Sequence, residues 1–278
     1  MFETEREVLD WYERQPRALT TTFVKNFPWR EVPIYPLDPR LVPVLFYMRD
    51  TEIYTEIYRD ELLRTPTGRD PVIRKFLDRW LVEEDQHGET LNRFLDEAGV
   101  RGSASWRAEA KRGVTWRYTL ENLITSHVAS CFGRHFTGTH MAWGAINELT
   151  VVQGYRRLWQ LAGHPALESL LRAIAHEETL HARFFWSIAR INLDRSQFSR
   201  EVARFVIAKF WSPVGQGTKP QRETDYAIAT LFDGASGVEC FDKHVTQRAE
   251  QLPGLAGLKT ATERIAGISL PSASSLNL

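Results

Sequence analysis

Cysteine is nearly absent from this chain: Cys131 and Cys240 are the only two in 278 residues. Two thiols cannot build a disulfide framework or a four-cysteine zinc site, so both are expected as buried thiols in a reducing compartment. No run of 18 apolar residues occurs, which leaves no candidate for a membrane span. The opening stretch MFETEREVLDWYERQ carries acids and no apolar signal region, so the expected location is cytoplasmic. Neither sign of charge dominates. The 35 basic and 35 acidic residues give a net charge of +0, without the footprint of a nucleic-acid or membrane-surface protein. Alternating strand patterns of useful length are missing as well.

What the chain has instead is helical periodicity. A short amphipathic helix is expected over residues 1–16, followed by an extended, proline-punctuated lead-in over 17–40. Helices are then expected over 41–64 and, after the break TPTGRDP, over 71–98 with Asp70 as N-cap and Pro71 at the first helical position. The pattern continues with 103–131, an irregular segment CFGRHFTGTHMAWG, and helices over 140–162, 165–192, 196–212, 222–251 and 257–266. The tail from 268 lacks periodicity and should fray. No composition break marks a boundary, so 1–278 reads as one all-α domain, a helix bundle with additional flanking helices.

Two of these helices repeat a pattern. VEEDQHGE places Glu84 three residues before His87, and AHEETLHA places Glu178 three residues before His181. Residues i and i+3 share a helix face. With eight histidines in the chain, a shuffled sequence of this composition would hold about 0.7 such pairs, so two alone prove little. The preceding helix in each half adds weight. Glu52 lies 32 residues before Glu84, and Glu148 lies 30 before Glu178 in the mostly apolar stretch AWGAINELTVVQGY. One Glu from each of two helices, plus Glu-x-x-His from each of two others, is the ligand set of a ferritin-like di-metal carboxylate site. Four buried carboxylates repel one another unless cations sit between them. Oxygen-rich donors with imidazole suit iron or manganese.

The sequence resembles the soluble acyl-carrier-protein desaturases of plants and bacteria. WLVEEDQHGETLNRFLDEAGV matches their helix with a Trp, a Glu-Glu pair, His-Gly-acid and Leu-Asn. DTEIYTEIY is similar to their first ligand helix, and IAHEETLHARFF to their last. The resemblance runs from about 41 to 192. It implies Glu52, Glu84, His87, Glu148, Glu178 and His181 as ligands of two iron ions, with manganese conceivable at one position. It also implies a homodimer, an acyl substrate on acyl carrier protein, O2, and a ferredoxin-type electron donor. By the same carry-over Glu177 would orient His87, and Trp29 in NFPWREVPIY would stand on an electron route. The family has a Thr beside the oxygen site where this chain has Val151; Thr150 is its neighbour on another face. Because acyl carrier protein is acidic, Arg190, Arg195, Arg200 and Arg204 are candidates for its docking.

Other di-metal families fit less well. A ribonucleotide reductase small subunit would have a radical-forming Tyr at Leu91. An arylamine N-oxygenase would have a seventh ligand, a His, at Ile174, and His176 is on the wrong face for it. An iron-storage ferritin would want an acidic cage interior and a shorter chain. A metal-free helical scaffold that keeps the acids as a polar core network is the alternative from a different class.

Overall fold

The computed structural model describes residues 2–100, 105–114 and 131–268. Among them it is an all-α bundle without a strand ladder. Its centre is two helix hairpins. The first joins α3 (Val42–Leu63) to α5 (Pro71–Glu97) through the short α4 (Pro66–Arg69). The second joins α7 (Thr137–Ala162) to α8 (Pro165–Asp194) through Gly163 and His164. Around them lie α1 (Glu5–Arg14), α2 (Thr21–Asn26), α6 (Trp106–Arg112), α9 (Gln197–Phe210), α10 (Gln221–Phe232), α11 (Gly234–Phe241) and α12 (Thr260–Ala266).

Local chemistry sets the ends of the hairpin helices. The Asp70 carboxylate accepts from the N–H groups of Val72 and Ile73 at 2.9 and 3.3 Å, and Pro71 supplies a pre-set φ where no N–H is needed. His164 does the same for α8, its Nδ1 accepting from the Leu167 N–H at 3.2 Å ahead of Pro165. Gly163 ends α7 in the left-handed region at φ +57°, which glycine adopts at no steric cost. Close approach inside the second hairpin depends on Gly144, because a Cβ there would lie 2.5 Å from the Phe185 ring.

One contiguous apolar cluster extends from Val8 to Ile265. Its densest part is aromatic. Phe76 stacks on Phe184 with centroids 3.7 Å apart, and Tyr12, Trp80 and Phe185 meet these rings edge-on or in parallel.

Several expectations from sequence need correction. The lead-in is not simply extended: residues 21–26 are helical, and Trp29–Ile34 and Pro39–Leu41 form 3-10 turns. The expected irregular segment after Cys131 is already a 3-10 turn by Gly133 and an α-helix by Thr137. Within the helix expected over 103–131, Trp106–Arg112 is helical and ends at the turn at Gly113, while 103, 104 and 115–130 lie outside the described residues. The run 222–251 is broken at Asp233, where Gly234 takes φ +68°, and again by a π-helical turn at Asp242–Thr246. Cys131 is exposed and Cys240 only partly buried, so neither is the buried thiol expected. Residues 269–278, the expected frayed tail, lie outside the described residues. No described helix is long and apolar enough to cross a membrane.

Candidate metal centre

The two hairpins bring six side chains to one buried point. Glu52 comes from α3, Glu84 and His87 from α5, Glu148 from α7, and Glu178 and His181 from α8. All six are nearly or wholly buried, the two histidines and Glu178 at 0% exposure. They form two overlapping groups. Glu52, Glu84, His87 and Glu178 can each offer a donor atom within 4.8 Å of the others, and so can Glu84, Glu148, Glu178 and His181. Glu84 and Glu178 belong to both groups.

The inward atoms are poorly satisfied by protein alone. His87 Nδ1 lies 3.0 Å from Glu178 Oε1, yet neither atom has a hydrogen-bond partner in acceptable geometry. Glu84 Oε1, 2.9 Å from His181 Nδ1, is likewise without one. Buried polar groups left in this state carry a desolvation cost, and a cation between them would remove it. The donor set, four carboxylates and two imidazoles with no thiolate, fits hard or borderline divalent ions. These groups could hold a metal ion.

Electrostatics describe the same crowding. Burial, then the charges of Glu178 and Glu52, push the Glu84 carboxyl well up. Burial, Glu178 and Glu84 do the same to Glu148. Glu178 goes the other way: burial opposes ionisation, but the facing imidazoles of His181 and His87 outweigh it and hold the carboxyl below its usual range. Burial disfavours the imidazolium forms, but the facing carboxylates prevail. They raise His87 well above its ordinary value and His181 to about 9. Without metal, protons do part of the work of cations here.

The outward histidine nitrogens are held by a second pair of acids. His87 Nε2 is 3.0 Å from Glu177 Oε2, and His181 Nε2 is 2.9 Å from Glu83 Oε2. Such contacts fix the tautomer and ring orientation of a ligating imidazole. Each Glu-Glu-x-x-His run therefore gives its second Glu and its His to the centre, and its first Glu to the histidine of the opposite hairpin. Sequence reasoning singled out Glu177 and missed Glu83. The repeated double Glu was the available signal.

The end of α1 and the segment after it grip both outer acids. Glu83 accepts from the Tyr12 hydroxyl at 2.5 Å, from Arg17 Nε at 2.7 Å and from Arg79 Nε at 2.8 Å. Glu177 accepts from the Leu19 N–H at 2.7 Å. Burial would raise Glu83, but the bonds from His181, Tyr12 and Arg17 overcome it and keep the carboxylate ionised. The Tyr155 hydroxyl donates to Glu52 Oε1 in the core. Burial, then the nearby acids, push its phenol well up, so it keeps the proton it donates. The aromatic wall of Phe76, Trp80 and Phe185 closes over His181.

Other sequence candidates fall elsewhere. The Thr150 hydroxyl donates to the Ile146 carbonyl of its own helix at 2.8 Å. Val151 is half-buried, one turn after Glu148. Trp29 is buried with its N–H on the Val24 carbonyl at 2.8 Å and Arg93 over its ring, so these contacts do not join it to Glu177 or His87. Arg190 and Arg195 pair with Asp194 and Glu5, while Arg200 and Arg204 donate to the carbonyls of Leu193 and Gly254. All four tie parts of the chain together. Comparison of the chain with family models, with curated proteins and with solved structures finds no match.

Proposed function

We propose that the protein is an O2-dependent di-metal oxidoreductase that desaturates an acyl chain carried on acyl carrier protein. The observation that carries the metal part is the pair of overlapping four-residue groups sharing Glu84 and Glu178, with orphaned donor atoms facing one another. Glu52, Glu84, His87 and Glu178 would hold one ion, and Glu84, Glu148, Glu178 and His181 the other. Iron in both positions, or manganese in one, suits these ligands. When bound, the metal pair supplies redox chemistry with O2. The acyl substrate, a ferredoxin-type donor and a homodimeric state are supported by the motif resemblance between residues 41 and 192.

The chain's own residues have definable parts in that reaction. Glu83 and Glu177 orient the two imidazoles. The rings of Phe76, Trp80 and Phe185 exclude water on the His181 side and keep the interior weakly screened. Val151 offers no hydroxyl, and the Thr150 hydroxyl is committed to Ile146. That pair of observations favours a second reading, hydroxylation of the same acyl chain, because the usual hydroxyl beside the oxygen site is missing.

The test is turnover of iron-loaded protein with acyl carrier substrate, reductant and O2. Desaturation removes two hydrogens from the product mass, and hydroxylation adds one oxygen. An unchanged substrate, or better turnover of free fatty acid or acyl-CoA, contradicts the carrier-linked assignment.

A further inference from the structure

The six ligands and the two outer acids follow a two-fold plan. Glu52 corresponds to Glu148, Glu84 to Glu178, His87 to His181 and Glu83 to Glu177. Seven residues are about two helical turns, so a residue seven beyond each single Glu shares its face. These are Arg59 on α3 and Tyr155 on α7, and they behave differently. Tyr155 turns inward at 0% exposure and donates to Glu52. Arg59 turns outward and pairs with Asp78, with Nε at 3.2 Å. Among the described residues, no hydroxyl or N–H group donates to Glu148, and the nearby charges of Glu178 and Glu84 crowd it.

From this break in the symmetry, and resting on the di-metal reading above, we infer that Tyr155 is a positioning residue that fixes Glu52 and makes the two metal positions unequal. With Oε1 engaged by the phenol, Glu52 presents Oε2, the atom 3.7 Å from His87 Nδ1. Among the described residues Glu148 has no such tether, so neither of its oxygens is held by a donor there. The position beside Glu52 and His87 is therefore the pre-organised one, and the position beside Glu148 and His181 is the adjustable one. A buried phenol has no other use for its hydroxyl here, since a Phe would fill the same space without a polar group to satisfy.

Anaerobic titration of the full chain with Fe2+, followed by calorimetry, tests the inference. The unaltered protein should bind two ions in two resolved steps. Tyr155→Phe should weaken the tighter step by about 10–100-fold, the usual size of an outer-contact loss, and leave the other in place. In a Glu52→Gln background the same change should add nothing, whereas in a Glu148→Gln background it should show its full effect. Arg59→Leu, the symmetry control, should move neither step. If Tyr155→Phe leaves both steps unmoved, or weakens both alike with helix content intact, the inference is overturned and the metal reading stands. If the unaltered chain binds no Fe2+, the metal reading falls and this inference falls with it.

Discussion

Glu83 and Glu177 do the same task with different support. Each holds the outer nitrogen of one buried histidine, at 2.9 and 3.0 Å. Glu83 is also bound by Tyr12, Arg17 and Arg79, whereas the remaining oxygen of Glu177 is met by one backbone N–H, that of Leu19. Two guanidinium groups stabilise the Glu83 charge directly; at Glu177 a neutral dipole does so. The imidazole of His181 is therefore the more firmly anchored of the two, and both anchors depend on the short stretch from Tyr12 to Leu19. A segment outside the central hairpins thus helps set the geometry of their core.

The sharpest way to expose that difference is to remove each acid in turn. Glu83→Ala strands the nearly buried Arg17 and the buried His181, and uncompensated charge of this kind costs about 3–5 kcal/mol. Glu177→Ala strands one N–H and the buried His87 ring but no guanidinium, so its loss should be the smaller, about 1–3 kcal/mol. Chemical denaturation of the two metal-free variants checks the order; equal losses would show that the extra contacts at Glu83 add nothing. Tyr12→Phe isolates one contact of the Glu83 anchor. It should cost about 1 kcal/mol, since the ring packing against Phe76 and Phe184 is kept.

Protonation offers a probe of both halves at once. Burial and the neighbouring acids push the Glu84 and Glu148 carboxyls up, and the facing carboxylates raise His87 and His181. Dications bind the deprotonated forms of these groups, so loading should release protons. Calorimetry in buffers of different ionisation heat counts them. Metal affinity should accordingly rise with pH. The metal-free fold should show the opposite trend from His181. Its folded value, about 9, lies above the ordinary 6.5, so its contribution is complete below about pH 6.5 and is lost as pH rises through 9.

Four of the six inward side chains were legible by a local rule, three residues along one helix face repeated in two halves, and Glu52 and Glu148 by their similar spacing ahead of those pairs. The bundle was legible for a similar reason, since Asp70-Pro71 and Gly163-His164-Pro165 mark helix ends in plain letters. What sequence could not supply depends on pairing across the fold. Glu83 meets His181 from 98 positions away, and Tyr155 meets Glu52 from 103 away. Only the repeated double Glu points to Glu83, and nothing local distinguishes Tyr155 from an ordinary helix residue. Arg200 and Arg204 looked like a free basic face because the carbonyls they bind, Leu193 and Gly254, become neighbours only after folding. The Asp233-Gly234 break, by contrast, was visible as a turn dipeptide and was overridden by the surrounding helical period.

The smallest expected effect concerns the Glu148 half. Val151→Thr adds a hydroxyl one turn from Glu148 at nearly constant shape, so stability should move little and the balance of products should shift toward the unsaturated acyl chain, with less peroxide released. Product mass and peroxide yield, measured beside the unaltered protein, check it; no change in either with metal intact removes Val151 from the oxygen site.

The most direct measurement is metal content after anaerobic loading with Fe2+ and removal of unbound ion. The account predicts about two ions per chain, a sharp loss at one position in Glu148→Ala, and loss at both in the Glu84→Ala, Glu178→Ala double variant, with helix content retained. Background iron in the unaltered chain, or two ions still held by the double variant, would contradict it.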